Sequence, residues 1–275
     1  MALSGRGDQV DSRAPKQPYI DIVIPTFNQA AMTEACARAL VRHTPPGWAR
    51  IIWVDNGSAP EERAAMAKTW AQTDAAGLPV LPVMVPVNLG FVKATNVGVA
   101  LSTAPFVLML NNDTEVPTQW AEALLDVLRA DPTIGAVGPR SSSSQQWQGC
   151  LAFAPGAYLV PDGRTLAFFC ALIRREVIEQ VGYLSEEYRA GLCDDDDYAF
   201  RMAAAGWKCA VRTDIVVVHH HRTTFRAIYG PGGWLPYQKE NTERLQRKWG
   251  LSKVDRPMWT LPQDIADKEP GGTSG

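Results

Sequence analysis

Short apolar runs and amphipathic stretches alternate through the first half of the chain. Residues 19–24 (YIDIVI) form a strand-sized apolar run that Pro25 should stop, and 30–42 has helical spacing. Residues 51–54 are a second strand, running into Asp55-Asn56-Gly57-Ser58, and 61–76 is an alanine-rich helix. Residues 80–85, 90–101 and 106–110 follow as strand, helix and strand, the last ending in Asn111-Asn112-Asp113. Strands alternating with helices at this spacing predict an α/β fold, a mostly parallel sheet with helices on both faces.

The second half is less regular and predicts a smaller region beside that sheet. Residues 120–129 read as a helix and 134–137 as a strand, and 141–148 (SSSSQQWQ) as a mobile loop. The apolar run 166–173 is strand-like, and 175–181 is a short helix stopped by Gly182. Residues 194–205 form a helix ending at Gly206, and 215–218 a buried strand. A terminal helix covers 236–249, with Gly250 as its stop. Residues 1–18 and 261–275 are polar and rich in Gly, Pro and Ser, so both are expected to be disordered tails.

Polar residues cluster just after the strands: Thr26 with Asn28, Asp55-Asn56, Asn88, and Asn111-Asn112-Asp113. Ligands of open parallel sheets bind at the carboxyl ends of the strands. The four clusters are therefore expected to converge on one crevice that takes a polar ligand.

Composition narrows the class. The chain has 275 residues and a net charge of −2, which gives no support to nucleic-acid binding by bulk positive charge. Five cysteines with no CxxC pair indicate neither a disulfide framework nor a cysteine zinc site. No apolar run approaches the ~20 residues of a membrane helix, so no transmembrane segment is expected. Free thiols in a reducing compartment, and hence a cytoplasmic location, are the simplest expectation. Charge is unevenly spread, however: four acids stand together at Asp194–Asp197, and three histidines at His219–His221.

Each run has a plain reading and a chemical one. A helix N-terminus welcomes one or two acids, but four adjacent carboxylates repel one another. Asp194 and Asp197 should share a face, Asp197 can pair with Arg201, and Asp195 then points elsewhere, into the crevice. A crowded carboxylate has a raised pKa and can act as a general base. Strand alternation puts His219 and His221 on one side and His220 on the other, so one of the run can be a metal ligand. Asn111-Asn112-Asp113-Thr114 is a turn, or a turn whose carboxylate holds a divalent metal against phosphates. Gly90, opening a helix, lets backbone approach a ligand closely, or simply caps the helix. Neither GxGxxG nor GxxxxGK[ST] is present, against a Rossmann dehydrogenase or P-loop NTPase.

Taken in order, these pieces resemble glycosyltransferase family 2, with the GT-A fold of nucleotide-sugar transferases. The resemblance rests on 22–28 (IVIPTFN), 54–58 (VDNGS), Asn88-Leu-Gly-Phe91 with Asn96, 110–114 (LNNDT), Asp194-Asp195 with Asp197 and Arg201, and Gly206-Trp207. The Asn-Asn-Asp-Thr form is similar to the rhamnosyltransferase-like branch. It implies a donor half, 19–115, and a metal- and acceptor-binding half, 116–260, of one domain. Pro25, Thr26, Asn28, Asp55, Asn56 and Gly57 would line the nucleoside pocket of a UDP- or dTDP-sugar. Asn88, Gly90 and Asn96, with Asn111 and Asn112, would lie near ribose and sugar. Asp113 would hold Mn2+ or Mg2+, with His219 or His221 completing the site. Asp195 would be the base of an inverting transfer, with Asp194 and Asp196 as alternatives one position away.

The implied acceptor is a glycan, a lipid-linked intermediate, a protein or a small molecule. Its residues would come from 141–148, Cys170, 188–192 and 225–237. A non-catalytic nucleotide- or glycan-binding domain is the alternative, favoured by Asn111 where the family carries an acid.

Overall fold

The computed structural model describes residues 19–143, 147–149, 154–160, 165–220, 227–230 and 232–251. Four parallel strands organise the first half: β1 (Ile20–Thr26), β2 (Ala49–Asn56), β3 (Val80–Val85) and β4 (Phe106–Leu110). Helices α1 (Ala30–His43), α2 (Pro60–Ala75) and α3 (Phe91–Ala100) connect them. The second half adds β5 (Thr114–Glu115), α4 (Trp120–Ala130), β6 (Ile134–Ser141), β7 (Ala157–Leu159), β8 (Cys170–Arg174), α5 (Arg175–Val181), α6 (Asp194–Ala204), β9 (Lys208–His219) and α7 (Leu235–Trp249). Together the strands make one sheet in the order β3-β2-β1-β4-β8-β6-β9-β5, with β7 paired to β9.

Side-chain alternation along β1 and β2 sorts the helices between two faces. Ile20, Ile22, Ile24, Ile51 and Trp53 pack with Leu40 of α1, Met66 of α2 and Leu124 of α4. Val23, Ile52 and Val54 pack on the other face with Val92 of α3, Val177 of α5 and Met202 of α6. Gly98 lets α3 press onto the sheet, since a Cβ there would collide with Val23. The expected α/β layering is thus present, and no helix of the described residues is long and apolar enough to cross a membrane.

Several boundaries differ from the sequence expectation. Pro25 does not stop β1, which runs on to Thr26. Pairing with β4 ends at Val23, so beyond it β1 has a ladder only with β2 and tolerates a residue without N–H. Strand β9 spans 12 residues, of which the apolar 215–218 is only the end. Burial alternates from Arg212 to His219, so 215–218 is not wholly buried: Val216 and Val218 face out, as do Arg212 and Asp214, which pair at 2.5 Å. The apolar stretch before β8 is not strand: Leu166, Phe168 and Phe169 are buried in irregular chain. The loop expected over 141–148 begins inside β6, and 144–146 lie outside the described residues.

Candidate active site

The turn after β2 is fixed by backbone crowding. Gly57 has φ +80°, and a Cβ there would lie 2.5 Å from the Val87 carbonyl carbon and 2.6 Å from Asn88 N. The turn therefore abuts the loop after β3. Asn56 bridges the same two loops: its Nδ2 donates to Asn88 Oδ1 (3.0 Å) and to the Gly90 carbonyl (3.2 Å), and its Oδ1 accepts the Leu89 N–H (2.9 Å). Asn88 Oδ1 also accepts the Gly90 N–H at 2.8 Å. A Cβ at Gly90 would meet nothing within 4 Å, so this side faces open space.

Most of the other predicted donor-side groups are held by internal bonds. Asp55 is fully buried, accepting the Ser58 N–H (3.0 Å) and the Arg63 guanidinium (2.5 Å). Asn28, at φ 54°, donates its N–H to Ser58 Oγ and accepts the Ala59 N–H, both at 2.8 Å. The Thr26 hydroxyl donates to the Val54 carbonyl at 3.1 Å. Pro25, Thr26, Asn28, Asp55, Asn56, Gly57, Asn88 and Gly90 thus come together at the carboxyl ends of β1 and β2 and the loop after β3. Asn96 is engaged elsewhere, pairing its amide with the Leu184 backbone at 2.9 and 3.0 Å.

A second group forms where β5 meets β9. Their pairing sets Thr114 opposite His219, which brings Asp113 beside the imidazole. His219 Nε2 and Asp113 Oδ1 are 3.4 Å apart, and both side chains are buried. Phe169 stacks on the imidazole, with ring centroids 4.7 Å apart and planes 10° off parallel. The Asp113 carbonyl accepts the His220 N–H at 3.0 Å. Asp113 Oδ1 accepts no hydrogen bond among the described residues, and neither does Asn111 Oδ1. Asn112 turns inward, donating to Thr33 Oγ1 of α1 at 2.9 Å. His220 faces outward to Glu115 at 3.2 Å, and His221 lies outside the described residues.

A buried carboxylate oxygen without a hydrogen bond, beside an imidazole nitrogen, suits a divalent cation such as Mn2+. Among the described residues no three His, Cys, Asp or Glu side chains gather at one point. A cation held by Asp113 and His219 would take its remaining ligands from water and diphosphate oxygens.

The acidic run forms the first turn of α6 and divides by environment. Asp197 is fully buried and accepts hydrogen bonds from Tyr188 Oη (3.2 Å), Arg201 Nε (3.0 Å) and Trp249 Nε1 (2.9 Å), while Lys248 Nζ lies 2.9 Å away. Burial pushes its carboxyl up, but Lys248, Trp249 and Arg201 outweigh that and hold it below the usual value. Asp196 is buried and accepts the Thr165 hydroxyl. Asp194, also buried, is pushed well above the usual value by desolvation and then by the charge of Asp195. Asp195 is half-buried; burial raises its carboxyl, against the N–H groups of Asp196 (2.9 Å) and Phe168. Asp194 and Asp195 are thus both raised, and Asp197 is lowered. The sequence had not pointed to Arg63, Thr33, Lys248 or Trp249, because each acts across a distance no local pattern records.

The sequence model of Glycosyl transferase family 2 matches residues 21–182, more than half of the chain. The chain belongs to that family. Among curated relatives of this chain, the O-antigen biosynthesis protein RfbC of Myxococcus xanthus is 23% identical over 274 residues, covering 86% of this chain and 21% of its own. The pre-mycofactocin glycosyltransferase of Mycobacterium tuberculosis is 26% identical over 236 residues, covering 78% of this chain and 47% of its own. The chain spans between about a fifth and a half of these relatives.

Solved structures of GT-A glycosyltransferases share the fold. The mannosyltransferase PcManGT from Pyrobaculum calidifontis, in complex with GDP-Man and Mn2+, superposes with a TM-score of 0.59 at 20% identity, covering 90% of this chain and 75% of its own. GalNAc-T7 with UDP, GalNAc and Mn2+ gives 0.65 at 16% identity, covering 84% of this chain and 48% of its own.

Proposed function

We propose that this family 2 chain transfers one sugar, with inversion, from a nucleoside-diphosphate sugar to an acceptor hydroxyl. The observation that carries the reading is the buried Asp113–His219 pair, 3.4 Å apart, whose carboxylate oxygen accepts no hydrogen bond. The loops carrying Asp55, Asn56 and Gly90 would hold the nucleoside end of the donor. Asp113 and His219 would hold Mn2+ or Mg2+, which when bound neutralises charge on the departing diphosphate. Asp195 would take the proton from the acceptor hydroxyl as it attacks the anomeric carbon. Its raised pKa strengthens it as a base, and its partial exposure leaves it within reach of a substrate. Asp196 and Asp197 are occupied by internal bonds, and Asp194 is itself raised by burial and by the charge of Asp195.

One feature favours a second reading. Asn111 stands where the family carries an acid, and a domain that binds nucleotide or glycan without turnover would accommodate that. The two separate in an assay of nucleotide release with UDP-, dTDP- and GDP-sugars, with Mn2+ and then with chelator. Transfer is expected to need the cation and to fall sharply in Asp113→Ala. Nucleotide binding without release for any donor would favour the binding domain; absence of both would overturn the transferase reading and any nucleotide-binding role.

A further inference from the structure

Thr165, Leu166, Phe168 and Phe169 are buried, yet 165–169 belong to no strand. A buried stretch outside regular structure must find other partners for its backbone polar groups. Here the partners belong to the proposed site and its supports. The Thr165 hydroxyl donates to Asp196 of α6. The Ala167 N–H donates to Oε1 of fully buried Gln148 at 2.6 Å, and Gln148 Nε2 donates in turn to the Pro139 carbonyl of β6 at 3.0 Å. The Phe168 N–H donates to the Asp195 carboxylate. The Phe169 carbonyl accepts the Asn111 N–H at 2.9 Å. The segment gives up strand pairing and spends its backbone on the turn after β4 and on the proposed base.

Its two phenylalanines divide between the faces of the sheet. Phe168 packs in the cluster of α3, α5 and α6, edge-on to Tyr198 of α6 with centroids 5.5 Å apart. Phe169 packs in the opposite cluster and lies flat on the His219 imidazole, 4.7 Å between centroids and 10° off parallel. One residue therefore reaches both ends of the metal-holding pair, the Asn111–Asp113 turn through its carbonyl and His219 through its ring. Strand pairing fixes the His219 backbone, opposite Thr114 and with its N–H on Ser142 Oγ at 3.0 Å. The imidazole itself turns about χ2 in a broad well, so the direction of Nε2 depends on what lies against the ring. We propose that Phe169 is a positioning residue of the site: its flat face holds the His219 imidazole in the plane that brings Nε2 to 3.4 Å from Asp113 Oδ1, where the two would hold a divalent cation. The inference rests on the metal-assisted reading and adds to it a side chain with no ligating atom.

The role separates from plain packing by its chemistry. Leucine or methionine at 169 would occupy much of the same space without offering a flat face, so the imidazole would sample other angles. Partners that orient a metal ligand are typically worth about 10- to 100-fold in metal affinity. The bonds to Asn111 and Asp195 run through the backbone of 168–169 and survive a change of side chain. A smaller residue also lowers stability through the lost apolar volume, but that loss does not depend on Mn2+.

Titration of Mn2+ into the full chain with UDP present, followed by electron paramagnetic resonance, tests this. Phe169→Leu is expected to weaken Mn2+ binding about 10- to 100-fold, and Phe169→Tyr, which keeps the flat ring, to retain it. Calorimetry without metal should find UDP binding unchanged in Phe169→Leu. Raising Mn2+ should return the turnover of Phe169→Leu towards that of the wild type, which a general loss of structure would not allow. Should Phe169→Leu fail to fold, Phe169→Met, whose flexible side chain adapts to the same space, carries the comparison. Unchanged Mn2+ affinity in the variant that folds, or a loss of turnover that Mn2+ does not restore, overturns the positioning role. A wild type that binds no Mn2+ overturns the metal-assisted reading and the positioning role with it. Mn2+ binding that depends on Phe169, in a chain that turns over no donor, upholds the positioning role and overturns the transferase reading instead.

Discussion

Asp195 and Asp197 occupy the same helical turn, yet their surroundings ask opposite things of them. Asp197 is surrounded by Tyr188, Arg201, Lys248 and Trp249, so ionisation is stabilised and the group is tied up. Asp195 has burial against it and partial access to solvent. Conversion of each to Asn should therefore separate chemistry from structure. Asp195→Asn is expected to lose about 10²- to 10⁴-fold in turnover, the usual worth of general-base help, with donor binding retained and an unfolding midpoint no lower than that of the wild type. Asp197→Asn is expected to destabilise the fold by about 3 kcal/mol or more, since Arg201 and Lys248 lose the charge they face. Urea unfolding and steady-state kinetics on the two variants check both statements. Wild-type turnover in Asp195→Asn would remove it as the base.

At the level of elements, α7 is seated by polar bonds beside a small apolar cluster, in which Leu245 packs with Tyr188 and Cys193, and Trp249 on Phe200. Only Asn241 and Leu245 of its 15 residues are buried. Its hold on the segment before α6 comes from Asn241 and from Lys248 and Trp249 against Asp197. Asn241→Leu keeps similar bulk but leaves two carbonyls without their donor, at about 1–3 kcal/mol each. Amide hydrogen exchange at 189–193 should quicken in that variant while β1 and β2 stay protected. The sequence made the β1–β4 rhythm readable because buried strands and amphipathic helices have periods. It could not reveal β5, whose two residues have none, although β5 is what sets Asp113 beside His219. The acids and histidines were visible as runs, and the polar clusters after the strands as turn residues. Which member of each run does what was not, because that depends on partners such as Trp249, 52 positions from Asp197.

For the whole molecule these environments set activity against stability along the pH axis. Asp197 has a depressed carboxyl in the fold, so its contribution is fully present above the ordinary aspartate pKa and is lost as pH falls through its lower folded value. Asp194 and Asp195 are raised, so the folded chain holds protons that the unfolded chain has already released. Stability should therefore decline as pH rises from the ordinary aspartate value, about 3.9, through their folded values. Turnover should climb over that same interval, because the proposed base must be ionised to work. Melting temperature followed across pH, for the wild type and for a chain carrying both Asp194→Asn and Asp195→Asn, tests the link. The double variant is expected to melt at a nearly constant temperature above the aspartate range, where the wild type declines, and to lose the rising limb of activity with it. A decline of equal size in both chains would place its cause outside this pair.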